Sequence, residues 1–185
     1  MDFDVTTFPL RDGRLCTIRP ARPEDAEDMI RYMAETAGET PFLLRTPGEV
    51  HYTVEQEREL LGSLLADPCS AMAAAFVDGK LAGNSCIRCL GPKRKTRHRC
   101  AFAIALYREY WGLGIGTALI ERLTGLARQI GYEQIDLEVV ADNERALALY
   151  RKCGFTETGR RVRALKFDDG SYHDELLMVR FLGES

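Results

Sequence analysis

The 185-residue sequence lacks any long apolar run, and none of its hydrophobic stretches approaches the roughly 18 residues that a membrane-spanning helix needs. It also lacks the positive excess of a nucleic-acid-binding domain, because its formal net charge is −3 and its isoelectric point is near 5.7. The acidic start of the chain has neither the basic nor the apolar region of a signal peptide. We therefore expect a cytoplasmic protein that binds neither a membrane nor nucleic acid.

Linkers and low-complexity segments are absent as well, so nothing in the composition divides the chain. Hydrophobic residues make up 45% of the sequence, which is enough to form a sizeable core in a chain of this length. The sequence therefore predicts one globular domain over residues 1–185.

The six cysteines lack the compact spacing of a disulfide framework. Cys86, Cys89, His98 and Cys100 are side chains of the types that bind zinc. However, Cys86 and Cys89 lie three residues apart on a predicted strand, which turns them to opposite faces, and no second C-x2-C pair follows. We predict that the cysteines are buried small hydrophobic residues and that the protein has no metal site.

What the sequence does contain is a glycine-rich turn, Trp111-Gly112-Leu113-Gly114-Ile115-Gly116-Thr117, between an apolar segment and a periodic helix. Glycines let the backbone pass close to a ligand, and the unpaired N–H groups at a helix start face an incoming anion. This pattern is typical of a phosphate-binding turn, although many similar turns only connect a strand to a helix.

Hydrophobic periodicity and turn residues predict the elements around this turn. Strands are expected at Leu15–Ile18, Ala71–Val77, Lys80–Leu90, Ala101–Leu106, Ile135–Val140, Thr156–Phe167 and Tyr172–Leu182. Helices are expected after Pro23 with Ala26, Met29, Ile30 and Met33 inward, from a capping box at Thr53 to Asp67, from the glycine turn to Gly131, and from Asn143 to Gly154. A loop is predicted from Thr36 to Val50. Together they predict an α/β fold of mixed α+β character, with about seven strands in one twisted mixed sheet and helices on both faces.

Two of these strands, 101–106 and 135–140, are joined by the helix that follows the glycine turn, so we expect them to be parallel. The basic run from Lys93 to Arg99 precedes the first of them. It should therefore lie at the opposite end of the sheet from the glycine turn, and we interpret it as a solvated loop rather than a phosphate site.

With these elements in order, the chain closely resembles the GNAT superfamily of acetyl-CoA-dependent N-acyltransferases. The resemblance extends from Thr17 to Met178, and its most specific part pairs the glycine turn with Asn143-Glu144-Arg145-Ala146-Leu147-Ala148-Leu149-Tyr150, followed by Gly154-Phe155. In motif it is closest to the members that acetylate protein N-termini and amino acids. It implies acetyl-CoA as cosubstrate and a pair of parallel strands that splay beside the turn.

The same resemblance implies a set of cofactor-binding residues. Backbone N–H groups of the turn would bind the pyrophosphate, main-chain groups of the preceding strand would bind the pantetheine amides, and Asn143 would approach the thioester. The residues so implied are Ile104, Leu106, Trp111, Gly112, Leu113, Gly114, Ile115, Gly116, Thr117 and Asn143. Family members often have Arg or Gln where this chain has Trp111, so the contribution of that side chain is open.

Two catalytic residues are implied in the same way. Tyr150 matches the family's general acid, and Glu138 matches the base in the Leu-Glu-Val pattern of the N-terminal acetyltransferases. An amine near its reference pKa is mostly protonated at neutral pH, so such a reaction needs a base. Both residues also fit purely structural roles, since Tyr150 suits a core position and Glu138 suits a solvent-facing position on a strand. A chain of water molecules is an alternative base. Asn143 fits a helix cap equally well.

We therefore expect an N-acetyltransferase in which a primary amine attacks acetyl-CoA directly in a ternary complex, in a monomer or a homodimer. The acceptor is either a small amine or amino acid, or a protein N-terminus, and loop 36–50 and hairpin 160–173 should form its walls. One alternative is a non-catalytic acyl-CoA sensor with the same fold. Another is a dinucleotide-binding fold, since Gly114 and Gly116 begin a G-x-G-x-x-G pattern, but Leu119 stands in place of its third glycine.

Overall fold

The computed structural model describes residues 1–183, which form eight strands and four α-helices. The strands are β1 Thr6–Pro9, β2 Leu15–Pro20, β3 Ala71–Val77, β4 Lys80–Cys89, β5 Arg99–Leu106, β6 Gln134–Val140, β7 Thr156–Lys166 and β8 Tyr172–Phe181. The helices are α1 Ala26–Glu39, α2 Val54–Ala66, α3 Ile115–Ile130 and α4 Glu144–Lys152. All eight strands belong to one sheet with the order β1-β2-β3-β4-β5-β6-β8-β7. The predicted mixed sheet is confirmed, with β1 as an additional edge strand.

The helices cover both faces of the sheet, as expected. Helices α1 and α2 pack against β3 and β4 on one face, and α3 packs against β3, β4 and β5 on the other, where α4 joins the same core. The pair β5 and β6 is parallel, and every other pairing in the described sheet is antiparallel. No helix in residues 1–183 is both long and apolar enough to cross a membrane.

Helix α1 is longer than predicted. Ala26 and Met29 are buried as expected, but the buried face is shifted beyond them. The helix continues to Glu39, whereas a loop was expected from Thr36, and Tyr32 is buried in place of the half-buried Ile30. The Thr36 hydroxyl is buried but donates to the Tyr32 carbonyl at 2.7 Å. A polar side chain that looked like a loop residue is thus satisfied within the helix.

The sequence signals for the start of α2 and for the turn between β3 and β4 are confirmed. Thr53 Oγ1 accepts from the Gln56 N–H at 3.2 Å, and the Gln56 side chain accepts from the Thr53 N–H at 2.9 Å, which confirms the capping box of α2. Asp78 and Gly79 both have positive φ and join β3 to β4, as expected for a two-residue hairpin turn. The hydrophobic pattern and the turn residues therefore predicted this half of the sheet.

The cysteine prediction was correct for Cys16, Cys100 and Cys153, which are buried, and wrong for Cys69. Cys69 is exposed because it lies in the turn between α2 and β3, where its N–H donates to Asp67. Cys86 and Cys89 are half-buried. Residues 1–183 contain no group of three or more metal-binding side chains in position to hold an ion.

The core against α3 fixes the position of the glycine turn. Ile115, Leu119 and Leu123 are each fully buried and lie on one face of the helix. Each such side chain contributes roughly 2 kcal/mol through burial. The helix is therefore held firmly against the sheet, and its first turn lies beside the end of β5.

Candidate active site

Strands β5 and β6 separate after a short parallel segment. Their pairing is limited to Arg99 with Gln134, Cys100 with Ile135, and Ala101 with Asp136. Beyond that point, β5 stays paired with β4 as far as Leu106, and β6 stays paired with β8 as far as Val140. A gap therefore opens between two strands that are each held from the outside.

The hydrogen-bond register shows which main-chain groups of β5 face this gap. The Tyr107 N–H donates to Ala82 at 3.0 Å and the Leu90 N–H donates to Arg99 at 3.2 Å, so odd-numbered residues of β5 bond to β4. Even-numbered residues then point their N–H and C=O groups toward β6. For Ile104 and Leu106 the neighbour has already separated, so their main-chain groups face the gap.

The Trp111 side chain binds one of these main-chain groups, the carbonyl of Leu106. Its indole N–H donates to the Leu106 carbonyl at 3.0 Å. The carbonyl is thereby satisfied within the protein, and the Leu106 N–H and the Ile104 main chain are left toward the gap. This contact gives the Trp111 side chain a structural role where the sequence left its contribution open.

The glycine turn leads directly into α3. Gly112 and Gly114 have φ of +79° and +101°, and Gly114 is the N-cap of the helix without any side-chain cap. Within residues 1–183, no acceptor receives the N–H groups from Gly112 to Thr117. These unpaired donors at the positive end of a helix dipole form an anion-binding arrangement.

Replacing Gly114 with Ala should strain this turn by about 1–2 kcal/mol, because L-residues avoid its positive φ. We expect the affinity for acetyl-CoA, measured by isothermal titration calorimetry, to fall about tenfold, which corresponds to 1.4 kcal/mol. Gly131→Ala is the matched control, since Gly131 ends the same helix with φ of +96° and open space around it. It should lose similar stability and keep its affinity. Equal affinities in the two variants would contradict a role for the turn in binding.

Three arginines surround the turn. Arg11 donates to the Gly112 carbonyl at 3.3 Å, and the guanidinium groups of Arg108 and Arg145 lie 5.7 and 5.0 Å from the centre of the Trp111 ring. Their charges add to the helix dipole and favour an anion. The sequence named Arg145 only as part of the motif that begins at Asn143. It assigned no role to any of the three arginines, because they come from three separate segments. The basic run 93–99 lies at the other end of β5, as predicted.

Tyr150 lies on α4 and is 7% exposed. Its ring packs edge-on against Phe102 and Phe155, with ring centres 6.4 and 5.8 Å away. Burial raises the pKa of its phenol to about 12. No residue in 1–183 hydrogen-bonds to the hydroxyl, yet the hydroxyl is not sealed from solvent, so it opens into the cleft between the strands.

Asn143 caps α4, because its Oδ1 accepts from the Ala146 N–H at 3.2 Å. The structural role considered for this residue is therefore present. The cap also fixes the helix that carries Tyr150 at the mouth of the gap, since Asn143 and Tyr150 both line the cleft.

Glu138 lies on β6 opposite Leu177, and half of its side chain is exposed. Its carboxylate forms an ion pair with Arg161 of β7 at 2.7 Å, and the same guanidinium contacts Glu175 of β8 at 2.7 Å. All three side chains line the cleft. Sequence reasoning missed Arg161 and Glu175, which become neighbours of Glu138 only when three strands pair.

The cleft has a volume of about 1880 Å³ and passes through the gap to the face that carries α1 and α2. On that face its floor includes Ala101, Ala103 and Ala105, and one wall is the loop residues 40–44. Residues of the predicted loop therefore line the cleft, and their role as an acceptor wall stays a prediction. Within the loop and hairpin that were expected to form the walls, Phe42 lines the cleft, whereas Glu39 accepts from the Arg108 N–H and Asp169 accepts from Ser171.

A model of the acetyltransferase (GNAT) family matches residues 27–155. The N-alpha-acetyltransferase RimI of Mycobacterium tuberculosis is 36% identical over 99 residues, which cover 54% of this chain and 60% of that protein. The chain spans only between 30% and 60% of the length of the curated relatives that it matches.

Solved structures match over a larger share. An acetyltransferase of the GNAT family from Streptococcus pneumoniae superimposes with a TM-score of 0.86 and 26% identity, covering 91% of this chain and 99% of the other. The putative acetyltransferase yncA from Salmonella typhimurium, solved with its cofactor acetyl-CoA, superimposes with a TM-score of 0.80 and 18% identity, covering 92% and 95%. The second likeness shows the shared fold.

Proposed function

The chain belongs to the acetyltransferase (GNAT) family, and we propose that it transfers an acetyl group from acetyl-CoA to a primary amine. The observation that carries this proposal is the gap between β5 and β6, which opens beside the unpaired N–H groups of the glycine turn and beneath Tyr150. The donors suit a pyrophosphate, and the Ile104 main chain and the Leu106 N–H suit the amides of a pantetheine arm.

Acetyl-CoA supplies the thioester, and the residues of this chain position it and move protons. Glu138 takes a proton from the acceptor ammonium, because an amine with a reference pKa of about 8 to 10.4 is mostly protonated at neutral pH. The amine nitrogen then bonds to the thioester carbon. The Leu106 N–H meets the negative charge that develops on the carbonyl oxygen. As the carbon–sulfur bond breaks, the Tyr150 hydroxyl donates its proton to the sulfur, and the nitrogen loses its second proton to water, which leaves a neutral amide. Tyr150 then regains a proton from solvent.

Two acceptor classes fit the proposal, a small amine or amino acid and a protein N-terminus. The similarity to an N-alpha-acetyltransferase supports the second, and the open cleft beside loop 40–44 accommodates either. The test is release of free coenzyme A thiol from acetyl-CoA in the presence of a diamine, a free amino acid or a peptide with a free N-terminus. We expect one class to be acetylated. Binding of acetyl-CoA without transfer to any amine would overturn the proposal in favour of a non-catalytic sensor.

Changing Glu138 to Gln should lower kcat about 100-fold near neutral pH, because the base is lost. The difference in kcat between the two proteins should shrink as the pH rises, since the ammonium form of the acceptor then loses its proton in solution. The pH profile of kcat for both proteins measures this. Glu157→Gln is the control, because Glu157 is an exposed carboxylate on β7, which lies two strands away from β6 in the sheet. A deficit that does not change with pH would refute the role of Glu138 as a base.

A further inference from the structure

Arg161 joins the proposed base to a second carboxylate. Its Nη2 lies 2.7 Å from Glu138 Oε1 and its Nη1 lies 2.7 Å from Glu175 Oε2. The Glu175 side chain is only 15% exposed, whereas those of Glu138 and Arg161 are each 52% exposed. One nitrogen of the guanidinium is thus anchored to the more buried carboxylate, that of Glu175. The other nitrogen holds the more exposed carboxylate, that of Glu138.

Glu138 depends on this contact for its orientation. Among residues 1–183, Arg161 is the one charged partner of its carboxylate. A half-exposed glutamate with several freely rotating bonds otherwise samples many rotamers. The ion pair occupies Oε1 and leaves Oε2 to accept a proton from an amine in the cleft.

An irregularity in β7 determines which arginine makes the contact. Glu157 pairs with Met178 but Gly159 pairs with Leu177, so one extra residue is inserted between them. Such an insertion exchanges the two faces for the residues that follow it, here up to the next irregularity after Arg161. Arg161 therefore pairs with Glu175 on the cleft side, and its neighbour Arg160 turns to the other face, where it contacts Asp174 at 2.7 Å.

We propose that Arg161 is a positioning residue, which holds the Glu138 carboxylate toward the acceptor amine. This inference rests on the proposed function, because it gives Glu138 the role of base. Arg161 acts through Glu138 and takes no part in the proton transfer itself. The two contacts, that with Glu138 first, raise the pKa of the guanidinium, so Arg161 remains a cation throughout the range of an assay.

The experiment compares Arg161→Gln, Arg161→Lys and the control Arg160→Gln in the full chain, with acetyl-CoA and the best amine of the panel. We expect Arg161→Gln to lower kcat about tenfold, because a misplaced base loses part of its contribution. The KM for acetyl-CoA should stay within about twofold, since the glycine turn is untouched. Lysine should restore much of kcat, because it keeps the positive charge. The rescue should be incomplete, because lysine makes one contact instead of two. Arg160→Gln should resemble the wild type, because its ion pair lies on the other face.

A double-mutant cycle separates positioning from a general structural effect. If Arg161 acts through Glu138, then Glu138→Gln and the double variant with Arg161→Gln should have the same kcat within about twofold. Additive losses would overturn the inference, as would a wild-type kcat in Arg161→Gln or an equal loss in Arg160→Gln. Failure of the proposed function is a different result, in which the wild-type protein transfers no acetyl group to any amine. Thermal unfolding of each variant should stay within about 3 °C, as expected for a half-exposed ion pair.

Discussion

Replacing Tyr150 with Phe is expected to lower kcat about 100-fold while the affinity for acetyl-CoA stays within about twofold. The hydroxyl makes no hydrogen bond to any residue in 1–183 and opens into the cleft, so its removal takes away a proton donor without removing a structural contact. Single-turnover measurement of thiol release gives the rate, and calorimetric titration gives the affinity. A rate equal to that of the wild type would exclude Tyr150 as the general acid.

Tyr132→Phe is the matched control. Tyr132 is buried to a similar extent, but its hydroxyl donates to the Cys69 carbonyl at 2.7 Å, away from the cleft. The same substitution should therefore lower the free energy of unfolding by about 1 kcal/mol and leave the rate unchanged. The two variants separate a catalytic hydroxyl from a structural one, since each should affect the quantity that the other preserves.

The pH dependence of stability provides a second measurement on Tyr150. Burial raises its pKa to about 12 in the folded protein, against about 10 in the unfolded chain. Its neutral form therefore contributes stability that is fully present below pH 10 and is lost as the pH rises toward 12. Over that interval the wild type should lose more stability than Tyr150→Phe, with chemical denaturation as the measurement. Parallel curves would show that the phenol is not desolvated.

Replacing Gly83 with Ala is expected to destabilise the protein by about 3 kcal/mol and to weaken acetyl-CoA binding. An added Cβ would lie 2.6 Å from the Ala105 carbonyl oxygen and 2.9 Å from the Leu106 Cα, both of which are backbone atoms. Strands β4 and β5 would have to move apart at the residue whose N–H faces the gap. Denaturant unfolding and calorimetric titration with acetyl-CoA measure the two effects.

Gly125→Ala is the control for this substitution. Gly125 lies in the middle of α3 with no atom within 4 Å of the added Cβ, so alanine should raise stability by up to about 1 kcal/mol. A loss of less than about 1 kcal/mol in Gly83→Ala would show that the strands separate locally at low cost, and that Leu106 is not held rigidly.

Much of the fold could be predicted because its signals are local. The capping box at Thr53, the hairpin turn at Asp78 and Gly79, and the positive-φ glycines at both ends of α3 each depend on a few neighbouring residues. Their chemistry permits few other conformations, so a single sequence predicts them. The misplaced end of α1 shows the limit of such signals, because Thr36 is polar and still buried within a helix.

The glycine-rich turn, the helix that carries Tyr150 and the order of elements around them were thus determined by the sequence by itself. Only the tertiary structure decided where β5 and β6 separate, that Trp111 binds the Leu106 carbonyl, and that Arg161 rather than Arg160 faces Glu138. These outcomes depend on strand register and on one inserted residue in β7. A shift of one residue exchanges the two faces of a strand, and the partner that sets the register lies far away in the chain.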